Sequence, residues 1–110
     1  MAYNEKLAQR IRERLLHLPA YMERKMFGGV CFLLHGNMAC GILNDDVIVR
    51  VGKEAYESAL ALPHTRKFGT TGRPMTGWVM VSPEGHRSDE QLDVWLQSSV
   101  DFAVSLPPKL

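Results

Sequence analysis

Apolar residues enter the chain at helical spacing. Leu7, Ile11, Leu15 and Leu18 share one stripe with Ala8 beside them, and Lys6, Arg10, Glu13 and Arg14 sit away from it. Asn4 can cap this segment and Pro19 stops it, which predicts a helix reaching about His17. Tyr21 to Gly29 reads as a connection or the lead-in to a strand. Val30–Leu34 and Met38–Leu43 then read as a hairpin around His35-Gly36-Asn37. Asn44-Asp45-Asp46 makes a second turn, Val47–Val51 a third strand, and Gly52 ends it. Lys53–Leu60 reads as a short helix carrying Ala55, Tyr56, Ala59 and Leu60, closed near Pro63. Glycines and a proline break up residues 64–77, with room for a short strand near Arg66–Phe68. Trp78–Ser82 is a strand ended by Pro83-Glu84-Gly85. Ser88-Asp89-Glu90-Gln91 fits a capping box for a last helix. Its stripe is Leu92, Trp95, Leu96, Ser99, Val100, Phe102, Ala103 and Leu106. Glu90, Asp93, Gln97 and Asp101 lie opposite, and Pro107-Pro108 ends it.

The order is helix, three antiparallel strands, helix, one or two strands, helix: an α+β class in one domain spanning residues 1–110. In the first hairpin both faces are apolar, with Cys31, Leu33, Met38 and Cys40 on one and Val30, Phe32, Leu34 and Ala39 on the other. A sheet with one wet face should instead alternate apolar and polar positions. Either helices cover both faces or a second subunit does. Three modest helices are few for two faces, so a homodimer is expected.

Composition narrows the function classes. An apolar fraction of 45% suits a globular domain, and a formal net charge of +1 argues against a protein that coats nucleic acid. Charge is uneven. Lys6, Arg10, Arg12, Arg14, Arg24 and Lys25 crowd the first thirty residues, whereas Asp89, Glu90, Asp93 and Asp101 mark a cation-free stretch from 88 to 106. Ordinary solvated faces are preferred here over an ion-paired contact. The charged N-terminal pattern is not a signal peptide and no apolar run is long enough to span a bilayer, so a cytoplasmic protein is expected. Two cysteines make no disulfide framework.

Several elements resemble the N-terminal domain of the TfoX/Sxy competence regulators. They are Arg24-Lys25-Met26-Phe27-Gly28-Gly29, the hairpin with Gly36-Asn37-Met38-Ala39, and Asp46-Val47-Ile48-Val49-Arg50-Val51. Phe68, Gly72-Arg73-Pro74-Met75, Trp78 and the closing helix through Leu92, Trp95 and Leu96 also fit. The resemblance covers nearly the whole chain. It implies helix, three strands, helix, two strands, helix, similar to secretion-chaperone-like folds. It also implies a role in bacterial gene regulation, since full-length members act as transcriptional co-regulators of natural competence. Two-domain members carry a separate C-terminal helical domain; this chain looks like a stand-alone N-terminal module.

Candidate chemistry is sparse. Arg24 to Gly29 can be a recognition surface, two cations beside a glycine turn with exposed amides. It can equally be structural, with Met26 and Phe27 plugging the core and Gly28 and Gly29 allowing a bend or close packing. The structural reading is preferred, because neither a phosphate loop nor a dinucleotide fingerprint is present. Cys31 and Cys40 lie directly opposite if His35-Gly36 form the turn, the register that the resemblance suggests, and diagonally if Gly36-Asn37 do. A redox pair or a Cys–His metal site with His35 stands against two reduced buried thiols, and the thiols are preferred. His17, His35, His64 and His86 are scattered, and Asp45-Asp46 reads as a turn. Trp78, Trp95 and Phe102 fit the core better than a base-stacking platform. Arg66, Lys67 and Arg73 form a small basic patch. The expectation is a non-catalytic regulatory module, without cofactor or metal, that recognises protein through the sheet face or the Met26–Gly29 edge. Arg24 and Lys25 give it orientation. The alternatives are weak nucleic-acid binding, or a small-ligand protein or enzyme with a pocket near residues 69–77.

Overall fold

A computed structural model describes residues 3–26, 28–70 and 73–109, with Thr70 and Arg73 described by backbone alone. The elements are α1 (Glu5–Leu15), β1 (Tyr21–Met26), β2 (Gly29–Leu34), β3 (Asn37–Leu43), β4 (Asp46–Arg50), α2 (Tyr56–Leu60), β5 (Thr65–Thr70), β6 (Arg73–Val81) and α3 (Asp89–Val104), with a single 3-10 turn at Pro83–Gly85. The strands form one six-stranded sheet in the order β1-β2-β3-β4-β6-β5. Every pairing is antiparallel. The α+β class and the helix–strands–helix–strands–helix order are therefore as expected, with one more strand.

The added strand is β1. Its sequence, Tyr-Met-Glu-Arg-Lys-Met, carries charge on consecutive positions, and Tyr21 and Glu23 on one face and Met26 on the other are no more than half-buried. A central strand could not tolerate this, but a sheet edge favours it, because charge there discourages stray pairing. The polar pattern hid a strand that pairs with β2 along its whole length, from Tyr21 opposite Leu34 to Met26 opposite Gly29.

All three helices pack on one face of the sheet. Leu7, Ala8, Ile11 and Leu15 of α1, Tyr56 and Ala59 of α2, and Leu92, Trp95 and Leu96 of α3 share a single cluster with Val30, Phe32, Cys40, Ile42, Val47, Val49, Val79 and Val81. Asn4 caps α1 by accepting from the Leu7 amide. The predicted capping box of α3 is complete: the Ser88 hydroxyl takes the Gln91 amide and the Gln91 side chain takes the Ser88 amide. Trp95 is anchored by its indole N–H, which donates to the Gly85 carbonyl at 3.2 Å.

The basic start and the acidic end meet, contrary to the preference for two solvated faces. Arg10 reaches Asp89 at 3.3 Å, and Arg14 reaches Asp89 at 3.0 Å and also Asp93. Parallel packing of α1 beside α3 on one sheet face, with Arg10 level with Asp89 and Arg14 with Asp93, brings the two charged flanks together.

Candidate protein-docking face

Strand alternation sends every second side chain away from the helices. Opposite the helical layer lie Met22, Arg24 and Met26 on β1, Cys31 and Leu33 on β2, and Met38 on β3. Ile48 and Arg50 on β4, Trp78 and Met80 on β6, and Arg66 and Phe68 on β5 complete the set. No described helix lies on this side. The smaller residues are nevertheless shielded: Cys31, Leu33 and Ile48 are buried beneath long neighbours, whereas Met22 stands 49% exposed. The face is thus a thin apolar floor overlaid by methionines, arginines and two aromatic rings.

Its rim has a defined geometry at Arg50. The guanidinium carbon lies 4.9 Å from the Trp78 ring centre and 5.2 Å from that of Phe102, and one N–H donates to the Met38 carbonyl at 3.3 Å. Gly52 makes the arrangement possible. Its φ is +86°, and a Cβ there would stand 2.5 Å from the Phe102 ring. Phe102 can therefore reach from α3 past the end of β4. Trp78 also leans on Phe68, with ring centres 6.3 Å apart. Burial pulls the Arg50 side chain below the usual arginine range. On the far edge Arg66 is paired with Asp46 at 2.5 Å.

The Arg24–Gly29 element spans the end of β1 and the start of β2, where a connection or strand lead-in is expected from sequence. Arg24 and Lys25 stand exposed on β1 and Met26 is half-buried. Phe27 lies outside the described residues. Gly29 opens β2, and a Cβ on it would fall 2.1 Å from the Ile42 carbonyl oxygen. Close packing of β2 against β3 is therefore what demands this glycine. Arg24 lies opposite Cys31, whose thiol burial pushes up while Arg24 opposes the shift.

The expected Cys31–Cys40 opposition does not occur. His35 and Gly36 do form the turn, with φ of +52° and +81°, and Leu34 faces Asn37. A bulge then intervenes, so that Phe32 faces Cys40 and Cys31 faces Gly41. Cys40 joins the helix-side core and Cys31 the other face, and both thiols are free. The sulfurs point to opposite sides of the sheet, so this geometry supplies no redox pair. Burial raises Cys40 to about 12.

The basic residues do not assemble into one patch. Arg24 and Lys25 are on β1 and Arg66 and Lys67 on β5, the two opposite edges of the sheet. Strand spacing puts about 24 Å between them. The three α1 arginines are engaged: Arg10 and Arg14 as above, and Arg12 with Glu23 at 2.5 Å. That carboxylate is held below its usual range chiefly by the Arg12 hydrogen bond, and Tyr21 donates to it as well. Residues 71 and 72 and the side chain of Arg73 lie outside the described residues, so the pocket expected near 69–77 and the Arg73 member of the patch do too. Among the described residues no three His, Cys, Asp or Glu side chains gather to hold a metal, and no helix is long and apolar enough to cross a membrane.

A family model for the TfoX N-terminal domain matches residues 13–103. The chain belongs to the TfoX N-terminal domain family. No curated protein and no solved structure matches it. The matched span starts within α1 and ends within α3, so it includes the whole sheet. In this TfoX N-terminal domain the motif positions serve the sheet: Met26 ends β1 and Gly29 opens β2, and the Asp46–Val51 run supplies β4 and carries Arg50 to the rim. Sequence reasoning passed over Arg50. Its signal was an arginine in phase with Ile48 rather than with Val47 and Val49, two residues before a glycine.

Proposed function

We propose that this TfoX N-terminal domain is a non-catalytic regulatory module that docks another protein on its uncovered sheet face, with Arg24 and Lys25 at the β1 edge orienting the encounter. One observation carries the reading. All three helices sit on one side of the sheet, and the other side presents exposed Met22 with half-buried Met38, Trp78 and Arg50 around buried Met80. Methionine, aromatic residues and arginine are the types enriched at protein interfaces, and flexible thioethers let one face adapt to a partner. Family membership supports a competence-regulator-like role, and the cytoplasm is the proposed compartment.

Nucleic-acid binding has weaker support, because the α1 arginines are ion-paired and the remaining cations are split between distant edges. A homodimer through the same face is the second reading, favoured by its apolar floor. It is ranked below because two copies would set two faces of the same net positive charge against each other. The test is cross-linked affinity capture from the native cell, comparing the parent with the Arg24→Glu/Lys25→Glu variant. The proposal expects a folded variant with weakened partner capture. Unchanged capture of the same partners removes the edge from the account.

A further inference from the structure

Resting on that docking reading, we propose that the partner segment carries a carboxylate among apolar side chains, and that Arg50 grips this carboxylate at the rim of the face. Arg10, Arg12, Arg14 and Arg66 each hold a carboxylate of this chain. Arg50 holds none among the described residues. A guanidinium has five N–H donors; among the described residues the one oxygen it meets is the Met38 carbonyl. The remaining donors are left for something else. The side chain is also fixed in place, because Trp78 and Phe102 flank it and Gly52 admits the Phe102 ring. A planar fork held between two aromatic faces is preorganised for two parallel hydrogen bonds to a carboxylate. Its charge is only partly offset by ring faces, so an incoming anion gains more here than at a fully hydrated arginine.

The surroundings select the rest of the ligand. Half-buried Met38 and Trp78 adjoin Arg50 on this face, with Leu33 and Met80 buried between them, and this apolar ground suits apolar side chains better than a hydrated phosphate backbone. Arg24 and Arg66 lie on the same side and Asp46 is already paired. The face is therefore net positive, which favours an acidic segment over a second copy.

The test uses the full chain and two synthetic octapeptides, one alternating leucine with glutamate, the other leucine with its neutral isostere glutamine. Affinity is read by anisotropy of a labelled peptide and location by the methyl resonances of Met22, Met38 and Met80. The glutamate peptide should bind at least about tenfold tighter, the ratio one charge-assisted hydrogen bond supplies, and should move the Met38 and Met80 methyls. Arg50→Gln should erase the preference. Arg50→Lys should keep only part of it, and gives the answer if the Gln variant is unfolded. Equal binding of both peptides at the methionines overturns the carboxylate anchor and leaves the docking face standing. No binding of either peptide, or methyls that do not move, overturns both. Arg50-dependent binding of a short single-stranded DNA in place of the peptide overturns the proposal in favour of phosphate. A dimer by light scattering that excludes both peptides overturns it in favour of self-association.

Discussion

Substituting Gly29 by alanine separates the structural from the recognition role of the Met-Phe-Gly-Gly element. The new Cβ would stand 2.1 Å from the Ile42 carbonyl oxygen and 3.2 Å from its carbon. An ordinary C···O contact is about 3.3 Å or more, so β2 and β3 must part by about 1 Å at this point. A backbone hydrogen bond of about 2.9 Å stretched by that amount is lost. One or two ladder bonds near the Val30–Ile42 pair would go, at about 1 kcal/mol each. Val30 and Ile42, exposed by 3% and 1%, would have to repack, adding about 1–3 kcal/mol. The expected cost is about 2–5 kcal/mol, roughly 8 °C or more in Tm. Urea unfolding followed by tryptophan fluorescence measures it. Gly28→Ala is the control. Gly28 is exposed with a φ of +74°, so alanine meets only the left-handed penalty of about 1–2 kcal/mol. A Gly29→Ala protein within about 1 kcal/mol of the parent would refute the close-approach argument and return the glycine to a recognition role.

Other consequences are smaller and separable. Ser88→Ala removes the α3 cap and should cost about 1 kcal/mol by urea midpoint; no change would show that Gln91 and water replace it. Burial raises Cys40 to about 12 from the ordinary 9.0. The unfolded thiol therefore ionises first, the unfolded state holds fewer protons between those values, and stability falls there by up to about 1.4 kcal/mol per pH unit. Tyr21, also raised by burial, adds to the loss only above its ordinary 10.0. Cys40→Ala should flatten the alkaline slope in pH-resolved urea titrations, and identical slopes would contradict the buried thiol. Arg24→Glu/Lys25→Glu lies on an exposed edge and should change stability by no more than about 0.5 kcal/mol by thermal melt.

The helices were the most legible elements. Leu7, Ile11 and Leu15 and the Leu92–Trp95–Leu96 set announced their buried stripes at the right period, and Asn4 and Ser88 announced their caps. The central strands were legible because Val47, Val49, Val79 and Val81 are short apolar runs. Tyr21–Met26 was illegible because an edge strand is defined by its partner, not by its own pattern, and its charges imitate a loop. The hairpin turn was read correctly, yet the bulge after it was invisible, since nothing in Met38-Ala39-Cys40 marks an extra residue. That single residue moves Cys40 to the other side of the sheet. Two-sided greasiness was visible in the strands, but which side the helices take depends on the crossover from β4 through α2 to the far edge. The Arg50 clamp depends on Phe102, more than fifty residues away, and on a glycine that reads locally as a strand end.

The central claim is that the face opposite the helices is where a partner sits. Hydroxyl-radical footprinting of the chain alone and in complex with its captured partner tests this most directly, because methionine reports its own solvent access. The account predicts that Met22 and Met38 are oxidised in the free chain and protected in the complex, while the helix-side residues Leu16 and Val94 stay equally reactive in both. Protection of Leu16 and Val94 with undiminished oxidation of Met22 and Met38 would place the partner on the helices and contradict it.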